Sequence, residues 1–239
     1  MCGRYASAQT DAEMAKAFDV VDVIGAESEP SWNVAPTQQV RTVLERAPRD
    51  EPDAPATRLL RPVRWGLVPS WAKDVKIGSK MINARAETLL AKPAFKSAAK
   101  RRRCVIPADG YYEWMTIDNR KVPMFLHAGD GQPLPMAGLY ELRPDPDLPD
   151  DDPDRWLWTC TIITTTASDT LGHIHDRSPL LIPTGDLLDA WLDPKLDDAD
   201  DVQALINSLP EPHLEPYEVS TAVNSVRNNG PHLVDPVNA

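Results

Sequence analysis

The stretch Trp156–Thr166 (WLWTCTIITTT) constrains the fold of this chain most, because it alternates, is rich in Thr and Ile, and carries no charge, glycine or proline. Side chains of that kind at a two-residue period belong on a pleated surface. It reads as a central strand, and a central strand needs a sheet around it. Other stretches supply the partners. In Gln39–Leu44, Val40 and Thr42 alternate with Arg41 and Val43, and Arg61–Val68 reads as the returning strand across a charged, proline-rich hairpin loop at 46–57. Cys104–Ala108 is a short apolar strand. After a turn at Asp109-Gly110 the next strand puts Tyr111, Glu113 and Met115 on one face and Tyr112 and Trp114 on the other. Lys121–Ala128, Pro135–Tyr140 and Leu180–Ile182 are further strands. Helices are few and short. One runs from a Thr10 or Asp11 cap through Phe18, another spans Ala94–Lys100, one ends near His173, and two cover Leu187–Leu192 and Val202–Leu209.

The 239 residues, 42% of them hydrophobic, are expected to form a single domain over 1–239. Its core spans about 2–230, with an acidic surface excursion at about 143–154. No stretch approaches the ~18–20 apolar residues of a membrane span, so the expectation is a soluble, cytoplasmic protein with no membrane partner. Cys2, Cys104 and Cys160 show neither a paired framework nor metal-ligand spacing, so no metal is expected. Cys104 and Cys160 read as small buried hydrophobes. No heptad or sticky stripe appears, and a monomer is expected.

A net charge of −11 argues against a generic nucleic-acid binder, but its distribution is uneven. Residues 61–127 hold 14 Lys/Arg against 5 Asp/Glu, while the rest of the chain holds 11 against 31. One segment is therefore basic in an otherwise acidic protein. Within it, the Trp65–Trp71 stretch sets two indoles around a Gly and a Pro, where they either close a core edge or stack on a base. The Arg101–Arg103 run is either a solvated helix end or a phosphate-facing edge.

Cys2 stands directly behind the initiator Met1. Once Met1 is removed, Cys2 carries an α-amine and a thiol on neighbouring carbons, a 1,2-aminothiol that condenses with aldehydes to a thiazolidine. With ordinary pKa values of roughly 8 and 8.5, both groups would be partly deprotonated near neutrality. Glu113, among aromatic side chains, is a candidate for proton transfer, and His175 sits in a polar loop between strands where side chains can converge. There is no glycine-rich phosphate loop, zinc pattern or nucleophile elbow, and no cofactor is expected.

Taken in order, Met1-Cys2-Gly3-Arg4-Tyr5, the Trp65–Trp71 segment, Asn83-Ala84-Arg85-Ala86-Glu87-Thr88, Pro107 to Trp114 and His175-Asp176-Arg177 resemble the SRAP family. These are the SOS-response-associated peptidases, regarded as abasic-site processing proteins. The resemblance runs from residue 1 to about 230. It implies an α+β fold with a curled, mainly antiparallel, barrel-like sheet and flanking helices. It also implies that Cys2 attacks the ring-opened aldehyde of an abasic site in single-stranded DNA. Asn83 then orients the Cys2 backbone and the sugar, Glu113 is the general acid/base, and His175 assists ring opening.

Arg4, Arg85 and Arg177 fit as phosphate clamps, and Trp71, with Trp65, as a stacking platform. Arg85 and Glu87 pairing with each other is the structural alternative. The implied location is cytoplasmic, with nucleoid association when DNA is bound. Acidity and the 143–154 excursion set this chain apart from such relatives. Competing readings are a thiol peptidase built on Cys2, His175 and Asn83, and a non-covalent single-strand binding module.

Overall fold

The computed structural model describes residues 2–48, 51, 53–145, 147–152, 155–167 and 172–237. Strand β1 (Tyr5–Ser7) leads into helix α1 (Asp11–Ala17), then β2 (Asp22–Val23), β3 (Ser31–Val34), β4 (Gln39–Arg46) and β5 (Thr57–Trp65). Next come β6 (Asn83–Arg85), helix α2 (Pro93–Arg101), β7 (Arg103–Ala108), β8 (Gly110–Ile117), β9 (Arg120–Ala128), β10 (Leu134–Pro144) and β11 (Trp156–Thr166). The described elements continue with β12 (Arg177–Pro179), helices α3 (Asp186–Leu192) and α4 (Ala199–Ser208), and β13 (Leu214–Glu218).

β11 has the central place its sequence requires. It runs antiparallel to β10 from Gly138↔Ile162 to Pro144↔Trp156. Its other edge takes β6 (Ile162↔Asn83) and β5 (Cys160↔Trp65), both in parallel, while β12 (Thr166↔Arg177) pairs antiparallel on the β10 edge beyond the end of that strand. Because β10 continues through β7 and β4 to β5, the β5–β11 pairing closes a barrel. The second sheet has the order β13-β9-β8-β1-β3. This is the α+β, barrel-like architecture with flanking helices that the family resemblance implies.

The two-residue period sorts the core. Leu44, Val63, Trp65, Cys104, Ile106, Cys160 and Ile162 form one buried cluster, which Cys2, Tyr5 and Tyr111 join. Alternate residues Val43, Leu60, Val105 and Ile163 pack instead with Met14, Phe18, Phe95, Trp191 and Val202 from the four helices. Helix α1 starts on a complete capping box, Thr10 with Glu13, worth about 1 kcal/mol. Cys104 and Cys160 are fully buried, as expected of small hydrophobes.

Several expectations are corrected. The returning strand is Thr57–Trp65 rather than Arg61–Val68, because Gly66 adopts φ 128° and turns the chain away. A side chain there would meet the Gly78 carbonyl oxygen at 2.7 Å, so the loop 66–80 is pinched shut at its base. The strand expected at Leu180–Ile182 is β12 at Arg177–Pro179, with Leu181 making only an isolated bridge to Met136. Neither reading of the Arg101–Arg103 run holds as a whole. Arg101 pairs with Asp197 and Arg102 with Glu141, while Arg103 is 2% exposed and donates to the carbonyls of Trp191, Ala99, Lys100 and Asp193. The helix expected to end near His173 falls largely on residues 168–171, outside the described residues, as does Met1.

Candidate functional site

β1 lies between β8 and β3, with Tyr5 opposite both Tyr111 and Val34. The backbone N–H of Tyr112 donates to Arg4 O at 2.9 Å, so the N-terminal segment stays docked along β8 ahead of β1 and delivers Cys2 to the barrel core. Cys2 is fully buried. The Asn83 amide Nδ2 donates to its carbonyl oxygen at 2.9 Å. Asn83 Oδ1 is buried and has no hydrogen-bond partner among the described residues, which leaves an acceptor available beside Cys2.

Burial, and next the negative charge of Glu113, push the Cys2 thiol well above its ordinary value. A thiolate fraction near neutrality, expected from the bare side chain, is therefore not the state of Cys2 in this fold. Glu113 itself is 4% exposed on β8. The structure thus brings Cys2, Asn83 and Glu113 together from β6, β8 and the segment before β1.

His175 stands just before β12, the strand that β11 places beside Thr164–Thr166. The Arg177 backbone N–H donates to its Nδ1 at 2.9 Å, and Asp176 Oδ1 lies 2.9 Å from the same nitrogen.

The expected DNA-contact residues divide. Trp71 is 62% exposed, at the tip of the pinched 66–80 loop, whose flank is held by Arg143 Nε donating to Ala72 O at 3.0 Å. Arg85 is exposed and shares the face of β6 that carries Asn83, while Ala84 points into the core. Trp65 and Arg177 are corrected, and Arg4 has a structural role beside the expected one. Trp65 is fully buried, packs on Tyr5 with ring centroids 5.4 Å apart, and donates its indole N–H to Ile82 O at 2.9 Å, so no base can stack on it.

Arg4 directs one guanidinium nitrogen, Nη1, to Asn33 Oδ1 (2.6 Å) and Val223 O (2.8 Å), which fastens the N-terminal segment, and the side chain is half-buried. Arg177 is 9% exposed and makes a two-pronged ion pair with Glu87 (2.6 and 2.9 Å) plus a bond to Thr164 O (2.6 Å). Glu87 therefore pairs with Arg177, not with Arg85, and that hydrogen-bonded guanidinium holds its carboxyl down at about 2. Among the described residues no group of three or more His, Cys, Asp and Glu could hold a metal ion, and no helix is long and apolar enough to cross a membrane.

Asn33 was legible only as part of a turn-rich stretch, yet it is 3% exposed and organises the N-terminal end of the site. Besides accepting from Arg4, its amide donates to Val223 O, Ser225 O and Asn228 O at 3.4, 3.0 and 2.8 Å. The asparagine-rich closing segment at 224–229 was the available signal for such a hub.

Fold and site together define a closed-barrel protein that holds Cys2 in its core beside an asparagine and a carboxylate. The family model described as SOS response associated peptidase (SRAP) matches residues 1–226, and this chain belongs to the SRAP family. It is 40% identical over 237 residues to the abasic site processing protein YoqW of Bacillus subtilis, covering 98% of this chain and 99% of that one. It is 30% identical over 269 residues to the abasic site processing protein HMCES of Gallus gallus, covering 99% and 78% of the two chains. A crystallised protein from Bacteroides thetaiotaomicron shares the fold with a TM-score of 0.76 at 21% identity, covering 98% of this chain and 99% of that one.

Proposed function

We propose that this protein processes abasic sites in single-stranded DNA by capturing them as a reversible thiazolidine adduct on Cys2, after Met1 is removed, and so shields the lesion. The observation that carries the reading is the hydrogen bond from Asn83 to the Cys2 carbonyl inside a pocket where Glu113 acts on the Cys2 thiol. The family's abasic-site processing relatives support the same substrate.

The freed α-amine attacks the C1′ aldehyde of the ring-opened deoxyribose, forming the C–N bond as the carbonyl oxygen takes up a proton. Water then leaves and an imine remains. The thiol adds to the imine carbon, the C–S bond forms, and the thiol proton passes to nitrogen. One water is released for each adduct and no oxidant is needed. The buried thiol suits this order, since the amine acts first and the sulfur enters as S–H, losing its proton only as it adds. Glu113 carries those protons, giving one to the departing hydroxyl and accepting that of the thiol. His175 assists opening of the sugar ring, and Asn83 Oδ1 accepts from the amine or a sugar hydroxyl. Trp71 and Arg85 meet the strand, one by stacking and one at phosphate.

Native mass spectrometry with abasic and intact oligonucleotides tests this. The wild type should gain the mass of the abasic strand less one water, Cys104→Ala and Cys160→Ala should do the same, and Cys2→Ala should gain nothing covalent. An SDS-resistant adduct on Cys2→Ala would overturn the reading. Cleavage of peptides in trans by a protein that forms no adduct would replace it with the thiol-peptidase reading.

A further inference from the structure

The barrel has a second mouth, away from Cys2. A cavity of about 670 Å3 opens there, lined by Arg46, Leu59, Arg61, Leu142, Trp156 and Trp158, with Asp22 at its rim. Arg46 and Leu142 belong to the last turns of side chains on β4 and β10, Leu59 and Trp156 to the first on β5 and β11. Cys2 is held instead by Asn83, which pairs with Ile162 toward the other end of β11. From Trp156 to Ile162 along β11 is roughly 20 Å at about 3.3 Å per residue, so the two mouths do not share a ligand of small size.

What distinguishes this mouth is that two guanidinium groups converge over one indole without a carboxylate between them. The Arg61 guanidinium carbon lies 3.4 Å over the Trp158 ring and that of Arg46 5.1 Å from it, while Tyr140 stacks on the same indole at 5.7 Å. Arg41, Arg58, Arg101, Arg102, Arg155 and Arg177 all pair with carboxylates. Arg46 and Arg61 do not pair with any among the described residues. Arg61 Nε is buried without a hydrogen-bond partner, and Arg46 makes one weak bond, Nε to Ala47 O at 3.4 Å.

Such an arrangement stands out in a chain with 36 Asp/Glu to 25 Lys/Arg, where counter-ions are plentiful. Two like charges crowded over one ring repel, and burial with that repulsion brings Arg61 down to about 10. Asp22 is exposed and bonds to neither arginine. An anion entering the mouth would satisfy donors that the protein leaves open, and its apolar part would meet Leu59, Leu142 and Trp156.

We propose that this mouth binds a small organic phosphate with an aromatic body, of the nucleoside monophosphate class, with the phosphate at Arg46 and Arg61 and the base against the apolar wall. The site is independent of the Cys2 chemistry. Titration calorimetry of the full chain with dAMP, deoxyadenosine and inorganic phosphate tests it.

Binding of dAMP is expected, with deoxyadenosine and inorganic phosphate each weaker by about tenfold or more, since each lacks half of the contacts. Arg61→Met and Arg46→Met should each weaken dAMP by a similar factor while forming the abasic-site adduct at the wild-type rate. If Arg61→Met fails to fold, Arg46→Met, at the more open edge, decides the matter. No heat with millimolar dAMP, undiminished affinity in Arg46→Met, deoxyadenosine binding as tightly as dAMP, or competition of dAMP with adduct formation would each overturn the proposal.

Discussion

The Cys2 pocket and the Trp71–Arg85 rim are reached by the same stretch of chain, from β5 through the 66–80 loop to β6, yet they treat their polar groups in opposite ways. In the pocket Cys2 and Trp65 are fully buried, Glu113 nearly so, and Asn83 is tied to the Cys2 backbone. On the rim Trp71 is 62% exposed and Arg85 stands in solvent. The difference is what the two tasks of the proposed reaction require. Proton transfer to a defined atom needs groups held in place and shielded from water. Contact with a flexible polyanion needs groups that can reach it.

Substitutions should therefore fail in different currencies at the two places, and the contrast can be broken by measuring both. The largest effect on reaction rates is expected at Glu113. Glu113→Gln should slow release of DNA from the adduct by about 10²-fold or more, and formation less, while His175→Ala should chiefly slow formation. Time courses of adduct growth, and of its loss to a competing trap, separate the two. Release from Glu113→Gln at the wild-type rate would make Glu113 a structural carboxylate.

Next comes Trp65→Ala, which should cost about 3–5 kcal/mol of stability in denaturant unfolding. Trp71→Ala should leave the unfolding midpoint unchanged and weaken single-strand binding by roughly 1–3 kcal/mol. Unaltered binding by Trp71→Ala would erase the distinction between pocket and rim. A smaller change is expected from Arg85→Ala, which should flatten the dependence of log K on log salt by about 0.7 for one lost phosphate contact.

The smallest effect concerns Glu87, two residues beyond Arg85. Its carboxyl is depressed to about 2 from an ordinary 4.5 by Arg177. It thus adds stability above about pH 4.5 that fades as the pH falls toward 2. Because the carboxylate is partly exposed, screening limits that contribution to under about 1 kcal/mol. Glu87→Gln should flatten the stability curve across that window. A curve matching the wild type would show the ion pair to be energetically idle.

Much of the sheet was legible because its signal is local. The expected strand Trp156–Thr166 coincides with β11, and Gln39–Leu44 lies within β4, since β-branched alternation needs only neighbouring residues to be read. Within the site, the short motifs around Cys2, Asn83, Glu113 and His175 were recognisable as blocks of sequence. The Asn83–Cys2 hydrogen bond spans 81 positions of chain, however, and only the fold supplies it.

The arginines and tryptophans mark the boundary. Arg177 and Trp65 look like surface contacts in the sequence, because a guanidinium or an indole beside glycine and polar residues carries no mark of what will cover it. Arg177 is covered because β12 pairs with β11 opposite Thr166 and brings it to Glu87, 90 positions away. Trp65 is covered because the parallel β5–β11 pairing shuts the barrel over it.

Residue order by itself determined the strand periods, the family motifs and the place of Cys2 at the start of the chain. Which charges are neutralised, which indoles face water and how far the Cys2 thiol is raised were decided by tertiary structure. Those properties depend on solvent exclusion and on partners distant in sequence, and neither exists until the sheet has closed.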